Sequence, residues 1–203
     1  MIRKPLFKTA RRVGEPIFPK TQSPKFSSSQ FPERGRGGKR RRGSSEFGTQ
    51  LTEKQKIRFS YGVSEKQLAN YVIKTHQTKG LPSQILGSFL EMRLDNAVFR
   101  AGIASTRTLG RQIVSHGHIL VNGKRMAIPA YQVKVGDTIG IRTQSLKSPL
   151  FIDIGARLEK SRNPSWLTVD ATKVEVIVKS APKQTDMDTT LSWNSVIEFY
   201  SRV

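Results

Sequence analysis

The stretch Ser105-Thr-Arg-Thr-Leu-Gly-Arg-Gln-Ile-Val-Ser-His-Gly-His-Ile-Leu-Val-Asn-Gly-Lys-Arg125 constrains the fold more than any other part of the chain. The spacing of Leu109, Ile113 and Val114 predicts a helix over 106–116 with one face on a core. Ser105 and Thr106 can cap its start by accepting from the first amides. Gly117 predicts its end, and Asn122-Gly123 predicts a two-residue hairpin turn. Arg107 and Arg111 lie four apart, on a face the apolar set does not use. A helix start offers amides and a positive dipole end to a phosphate. A capped helix start beside the basic hairpin residues His118, Lys124 and Arg125 forms a surface suited to a nucleic-acid backbone, and RNA above all.

Charge narrows the partner. Among 203 residues, 35 Lys or Arg face 15 acidic residues, a net charge of +20. That much like charge calls for a neutralising partner, nucleic acid first and a membrane surface second. No run of about 18 apolar residues exists to span a bilayer, and no apolar signal segment opens the sequence. Without cysteine there is no disulfide and no thiolate metal site, which fits a reducing compartment. The Arg-rich start has the character of a transit peptide, but the basic composition continues to Arg58. These traits lead us to expect a soluble protein bound to nucleic acid. Residues 1–58 hold sixteen Lys or Arg and four Glu, broken by Pro5, Pro16, Pro19, Pro24 and Pro32. Arg34, Arg36, Lys39, Arg40, Arg41 and Arg42 read either as an arm that orders against phosphate or as a solubilising tail.

From Leu51 the texture becomes that of a folded chain. Thr52 with Gln55 has capping-box spacing and predicts a short helix through Arg58; Ser64 with Gln67 predicts another, ending near Gly80. Pro82-Ser83 opens a third, with Ile85, Leu86, Phe89, Leu90, Leu94 and Val98 on its buried side and Gly102 as its stop. Strands are expected at 118–121, 124–128, 137–142, 166–169, 173–178 and 196–200, with a short helix near 153–161.

Little in the chain points to catalysis. Arg93-Leu94-Asp95 resembles the catalytic aspartate motif of pseudouridine synthases, but no room remains for their large α/β catalytic domain. His116 and His118 lack a third ligand at suitable spacing, so no metal is expected. The basic set says more. Arg93, Arg100, Arg107, Arg111, His118, Lys124 and Arg125 come from three consecutive elements and fit an RNA footprint. Neutralising six to ten phosphates would give a log–log salt slope of roughly −5 to −9.

The segments Glu91 to Arg100, Ala104 to Arg107 and Arg111 to Gly123 resemble the S-four RNA-binding domain. The flank Leu51 to Gln67, together with Trp166 to Asp170 and Val196 to Arg202, is similar to the small-subunit ribosomal protein S-four family of bacterial or organellar type. The resemblance covers nearly everything after Arg34. It implies an α+β protein: a mostly helical domain with C-terminal strands, an inserted domain of two helices on a small antiparallel sheet, and a basic N-terminal arm. The implied limits are 1–45 for the extension, 46–91 with 159–203 for the helical domain, and 92–158 for the RNA-binding domain.

The implied function is structural and not enzymatic, without a cofactor: early binding to the 5′ domain of small-subunit rRNA, nucleation of assembly, and an effect on decoding accuracy. Implied neighbours are the ribosomal proteins S-five and S-three and mRNA where it enters the subunit, in the cytoplasm or an organelle, with no membrane and no homo-oligomer. Arg107, Arg111 and Lys124 fall at matching motif positions for backbone contacts. The full candidate set adds Lys54, Lys56, Arg58, Ser105, Thr106, Gln112, His116 and Asn122. Many members bind zinc through four N-terminal cysteines, and here Phe26 stands where one is expected. Packing of Phe18, Phe26 and Phe31, with rRNA, is the expected substitute. A free RNA-binding regulator and an RNA-modifying enzyme are the competing readings.

Overall fold

The computed structural model describes residues 6–23 and 45–202. Its helices are α1 (Leu6–Val13), α2 (Glu46–Ser60), α3 (Glu65–Gln77), α4 (Pro82–Glu91), α5 (Leu94–Arg100), α6 (Arg107–Ser115), α7 (Thr143–Leu146), α8 (Ile154–Lys160) and α9 (Trp193–Ser201). The strands are β1 (Ile119–Val121), β2 (Lys124–Met126), β3 (Thr138–Ile141), β4 (Leu167–Asp170) and β5 (Glu175–Val178). The chain gathers into two compact units, one from Met1–Ser83 with Thr190–Val203 and one from Gln84–Thr189.

In the first unit, α2 begins earlier than expected. Ser45 caps it by accepting from the Gly48 amide, and Thr52 sits mid-helix with its hydroxyl donating to the Gly48 carbonyl. The Thr52–Gln55 capping box is therefore not formed. The buried positions of α2 include Gln50, Lys54 and Lys56, so no apolar stripe marks its first turns. The Ser64–Gln67 box at the start of α3 does form, with both reciprocal bonds. Residues 196–200 are helical where a strand was expected. Val-Ile-Glu-Phe-Tyr suits either period, and packing decides. On α9, Phe199 meets Phe47 at 5.4 Å between ring centroids, and Trp193 meets Tyr61 at 5.9 Å. Glu65 joins three helices, accepting from Lys54 Nζ (2.6 Å), Arg58 Nη1 (2.8 Å) and Tyr200 Oη (2.8 Å). Burial works against this carboxylate, but the three donors hold it below its ordinary range; burial and Glu65 push the Tyr200 phenol up.

In the second unit, the single helix expected from Pro82 to Gly102 is two. It breaks at Met92–Arg93 because that backbone pairs with residues 129–133: Val133 N donates to Met92 O, Leu94 N to Tyr131 O and Asp95 N to Pro129 O. Leu86, Leu90, Leu94 and Val98 are buried as expected, whereas Ile85 and Phe89 are half-buried. The next helix, α6, starts at the Thr106 cap, which accepts from Leu109 N. It ends in a Schellman arrangement: Gly117 N donates to Val114 O and His118 N to Ile113 O, with Gly117 at φ +74°. The hairpin turn has φ +51° at Asn122 and +75° at Gly123, the two positive values of a type I′ turn. Asn122 also locks the turn to β3, donating to Asp137 Oδ1 and accepting from Thr138 N.

The five strands form one antiparallel sheet in the order β2-β1-β3-β5-β4. Thus β4 and β5 complete the sheet of the second unit and do not serve the helical unit as C-terminal strands. One face of the sheet carries buried Ile119, Val121, Ile139, Ile141, Val176 and Val178, and it shares a core with Leu94, Val98, Ile113, Phe151 and Trp166. Within this unit α6 approaches α5 at Gly110, where an added Cβ would lie 2.6 Å from the Asp95 carbonyl oxygen. That neighbour is backbone and cannot swing aside. Gly110→Ala should therefore lower stability by about 1–2 kcal/mol despite alanine's better helix propensity. A reduced urea midpoint at unchanged slope is the expected result, and an unchanged midpoint would contradict the close approach.

Candidate nucleic-acid interface

Much of the expected contact set lies on α6, its caps and the β1–β2 hairpin that follows it. Ser105, Gln112, His116, Asn122, Lys124 and Arg125 are exposed, and Thr106, Arg107, Arg111 and His118 are partly so. The Schellman end of α6 turns the chain directly into β1, so His116 and His118 stand with ring centroids 5.9 Å apart. Arg125 Nη2 reaches back from β2 to the His116 carbonyl oxygen at 3.4 Å, beneath the face of Gly117. His118 Nδ1 lies 2.9 Å from Ser145 Oγ on α7, and its ring meets Phe151 edge-on. Burial, with the positive neighbours His116, Arg125 and Arg142, holds the His118 imidazole below its ordinary value. Arg142 escaped the sequence reading because the last residue of an expected strand gives no sign of what it faces.

Other members of the expected set serve the interior. Arg93 has no solvent exposure and grips Asp95 through Nε–Oδ1 (3.0 Å) and Nη2–Oδ2 (2.7 Å). Its assignment as an RNA contact is corrected: a guanidinium without exposure cannot reach a phosphate. The same bond closes Asp95 to any substrate. Lys54 and Lys56 are also buried, the first on Glu65 and the rings of Phe199 and Tyr200, the second between Glu15 and Glu53. Their place is inside the helical unit. Arg58 pairs with Glu65, and Arg100 pairs with fully buried Glu91. Lys54–Glu65 and Lys56–Glu15 do not show in the sequence, because they join residues 11 and 41 apart, whereas Arg93–Asp95 and Lys56–Glu53 are local and only their burial is hidden. Arg34, Arg36, Lys39, Arg40, Arg41 and Arg42 lie outside the described residues.

Two family models match adjoining segments of the chain. The Ribosomal protein S4/S9 N-terminal domain matches residues 2–91, and the S4 domain matches residues 92–139. The small ribosomal subunit protein uS4 of Hahella chejuensis is 43% identical over 201 residues, covering 98% of this chain and 97% of that protein. The chain belongs to the ribosomal protein S4 family. The uS4 proteins of Chromobacterium violaceum (41%) and Herpetosiphon aurantiacus (40%) match over the same shares of both chains. The S4 family is structural and not enzymatic, which agrees with Asp95 being occupied by Arg93.

The matched S4 domain begins at the break before α5 and ends in β3, so it contains α6 and the hairpin whole. A four-cysteine zinc site does not fit this S4 family member, since the chain has no cysteine. In the described part of that region, Glu15 pairs with Lys56 of α2, and Ala10 and Val13 are buried. Phe18 is half-buried, with its amide and carbonyl both bonded to the Thr21 hydroxyl; Phe26 and Phe31 lie outside the described residues.

The depressed His118 has a definite pH consequence. The folded protein binds its proton less well than the unfolded chain, whose histidine titrates near 6.5. Stability from this group is therefore full above that pH and declines as pH falls below it. A polyanion beside His116, Arg125 and Arg142 would reverse the shift, so binding there should take up a proton and tighten as pH falls from 7 to 6. Titration of the imidazole by NMR should give a midpoint under 6.5 for the protein alone and a higher one with RNA. A midpoint at or above 6.5 in the free protein would refute the crowding of positive charge.

Proposed function

We propose that the chain is a structural constituent of the small ribosomal subunit that binds the 5′ domain of small-subunit rRNA early in assembly. One observation carries this reading. The exposed side chains of Ser105, Gln112, His116, Lys124 and Arg125 line a capped helix and the hairpin that follows it, in the segment matched by the S4 domain. Backbone amides, hydroxyls and cations in that arrangement recognise phosphate and ribose without reading bases. The names of the relatives place those proteins in the small ribosomal subunit, and identity across 98% of this chain supports the same place for it. Neighbouring S-five and S-three, contact with mRNA where it enters the subunit, and an influence on accuracy belong to the same proposal. So does residence in the cytoplasm or in an organelle. Among the described residues, no helix is long and apolar enough to cross a membrane.

Sedimentation of a native extract tests the reading. The protein should appear at about one copy per small subunit and remain after a high-salt wash; a protein left at the top of the gradient would point to a free regulator. Lys124→Ala with Arg125→Ala should flatten the log–log salt slope of binding to a 5′-domain transcript by about 2 units. Arg107→Ala with Arg111→Ala should do likewise. Unchanged slopes in both pairs would remove α6 and the hairpin from the RNA.

A further inference from the structure

Asn96 is buried on α5, and its amide faces two different partners. Its Nδ2 donates to the Glu91 carbonyl oxygen (2.9 Å) and to Glu91 Oε2 (2.8 Å). Two acceptors on that side leave only one workable amide orientation, which turns Oδ1 toward α6. There it accepts from Arg107 Nε at 2.8 Å. Glu91, itself without exposure, is held by Arg100 through Nη2–Oε1 (2.6 Å) and Nε–Oε2 (2.9 Å). The Arg107 guanidinium carbon also lies 4.8 Å from the Phe99 ring centroid. The first residue of α6 is thus gripped at Nε and backed by a ring, two positions after the exposed Ser105.

We propose that Asn96 is a positioning residue for RNA binding, which with Phe99 holds Arg107 in its contact geometry before RNA arrives. The inference rests on the RNA-binding reading above. Asn96 is too buried to touch RNA and acts only through Arg107. Glu91 supplies the direction by fixing which end of the amide is oxygen. An arginine already held in place loses less rotamer freedom on binding, a saving of about two- to tenfold in affinity. A structural asparagine would stabilise the unit without affecting RNA in this way.

A double-mutant cycle separates the two roles. Binding of the full chain to a 5′-domain transcript of small-subunit rRNA is measured for the wild type, Asn96→Ala, Arg107→Ala and the double variant, with thermal melting of each. Asn96→Ala should weaken binding about two- to tenfold in the wild-type background and leave the Arg107→Ala variant unaffected. Equal losses in both backgrounds would overturn the positioning role. Should Asn96→Ala fail to fold, Phe99→Leu in the same cycle decides, since that half-exposed ring lies outside the Glu91–Asn96 bonds. A neutral Arg107→Ala in a chain that still binds the transcript overturns the proposal and spares the RNA-binding reading. A wild-type chain that does not bind the transcript defeats that reading itself.

Discussion

Arg93 lies without solvent exposure inside an apolar unit, a placement that costs several kcal/mol for a cation unless geometry and partners compensate. Asp95 compensates with two bonds, and the chain is bent to bring it there. The same stretch carries the break between α4 and α5, the backbone pairing of 92–95 with 129–133 and the seating of α6 on the Asp95 backbone at Gly110. Glu91 repeats the principle one turn earlier with Arg100 and Asn96. The stretch 91–96 is a charged segment turned inward. It holds α6, whose capped start we propose to face RNA.

Few acids are available to a chain of +20, and their placement divides its cations into two kinds. Glu15, Glu53 and Glu65 neutralise Lys54, Lys56 and Arg58 in the helical unit, while Glu91 and Asp95 neutralise Arg100 and Arg93 in the other. Lys124 and Arg125, on an exposed strand, are left to face solvent. Cations of this second kind stay at the surface, where a polyanion can reach them. Burying every basic side chain would be unaffordable, and exposing every one would leave the footprint without shape.

What could be read from the sequence was local. The caps, apolar spacing and glycine stop of α6, and the Asn-Gly turn after it, are decided by residues within a few positions of one another, and the structure places them where expected. The break at Met92–Arg93 depends on backbone pairing nearly forty residues away, so the apolar period ran through it unmarked. The helical form of 196–200 depends on Phe47, Tyr61 and Glu65, which no window around those residues contains. The candidate site followed the same rule. Its exposed hairpin residues were legible from their neighbours, and the buried Arg93, Lys54 and Lys56 were misplaced because their acids lie elsewhere in the fold or could not be seen to turn inward.

The division of the chain also sets an order of completion. The second unit is one continuous segment, Gln84–Thr189, whereas the first needs α9 from the other end. As a chain leaves the ribosome from its N-terminus, α2 and α3 emerge early but wait for Trp193, Val196 and Phe199 to close their core. The helical unit is therefore closed only by the last residues made, and until then Lys54 and Lys56 in the waiting α2 can be solvated.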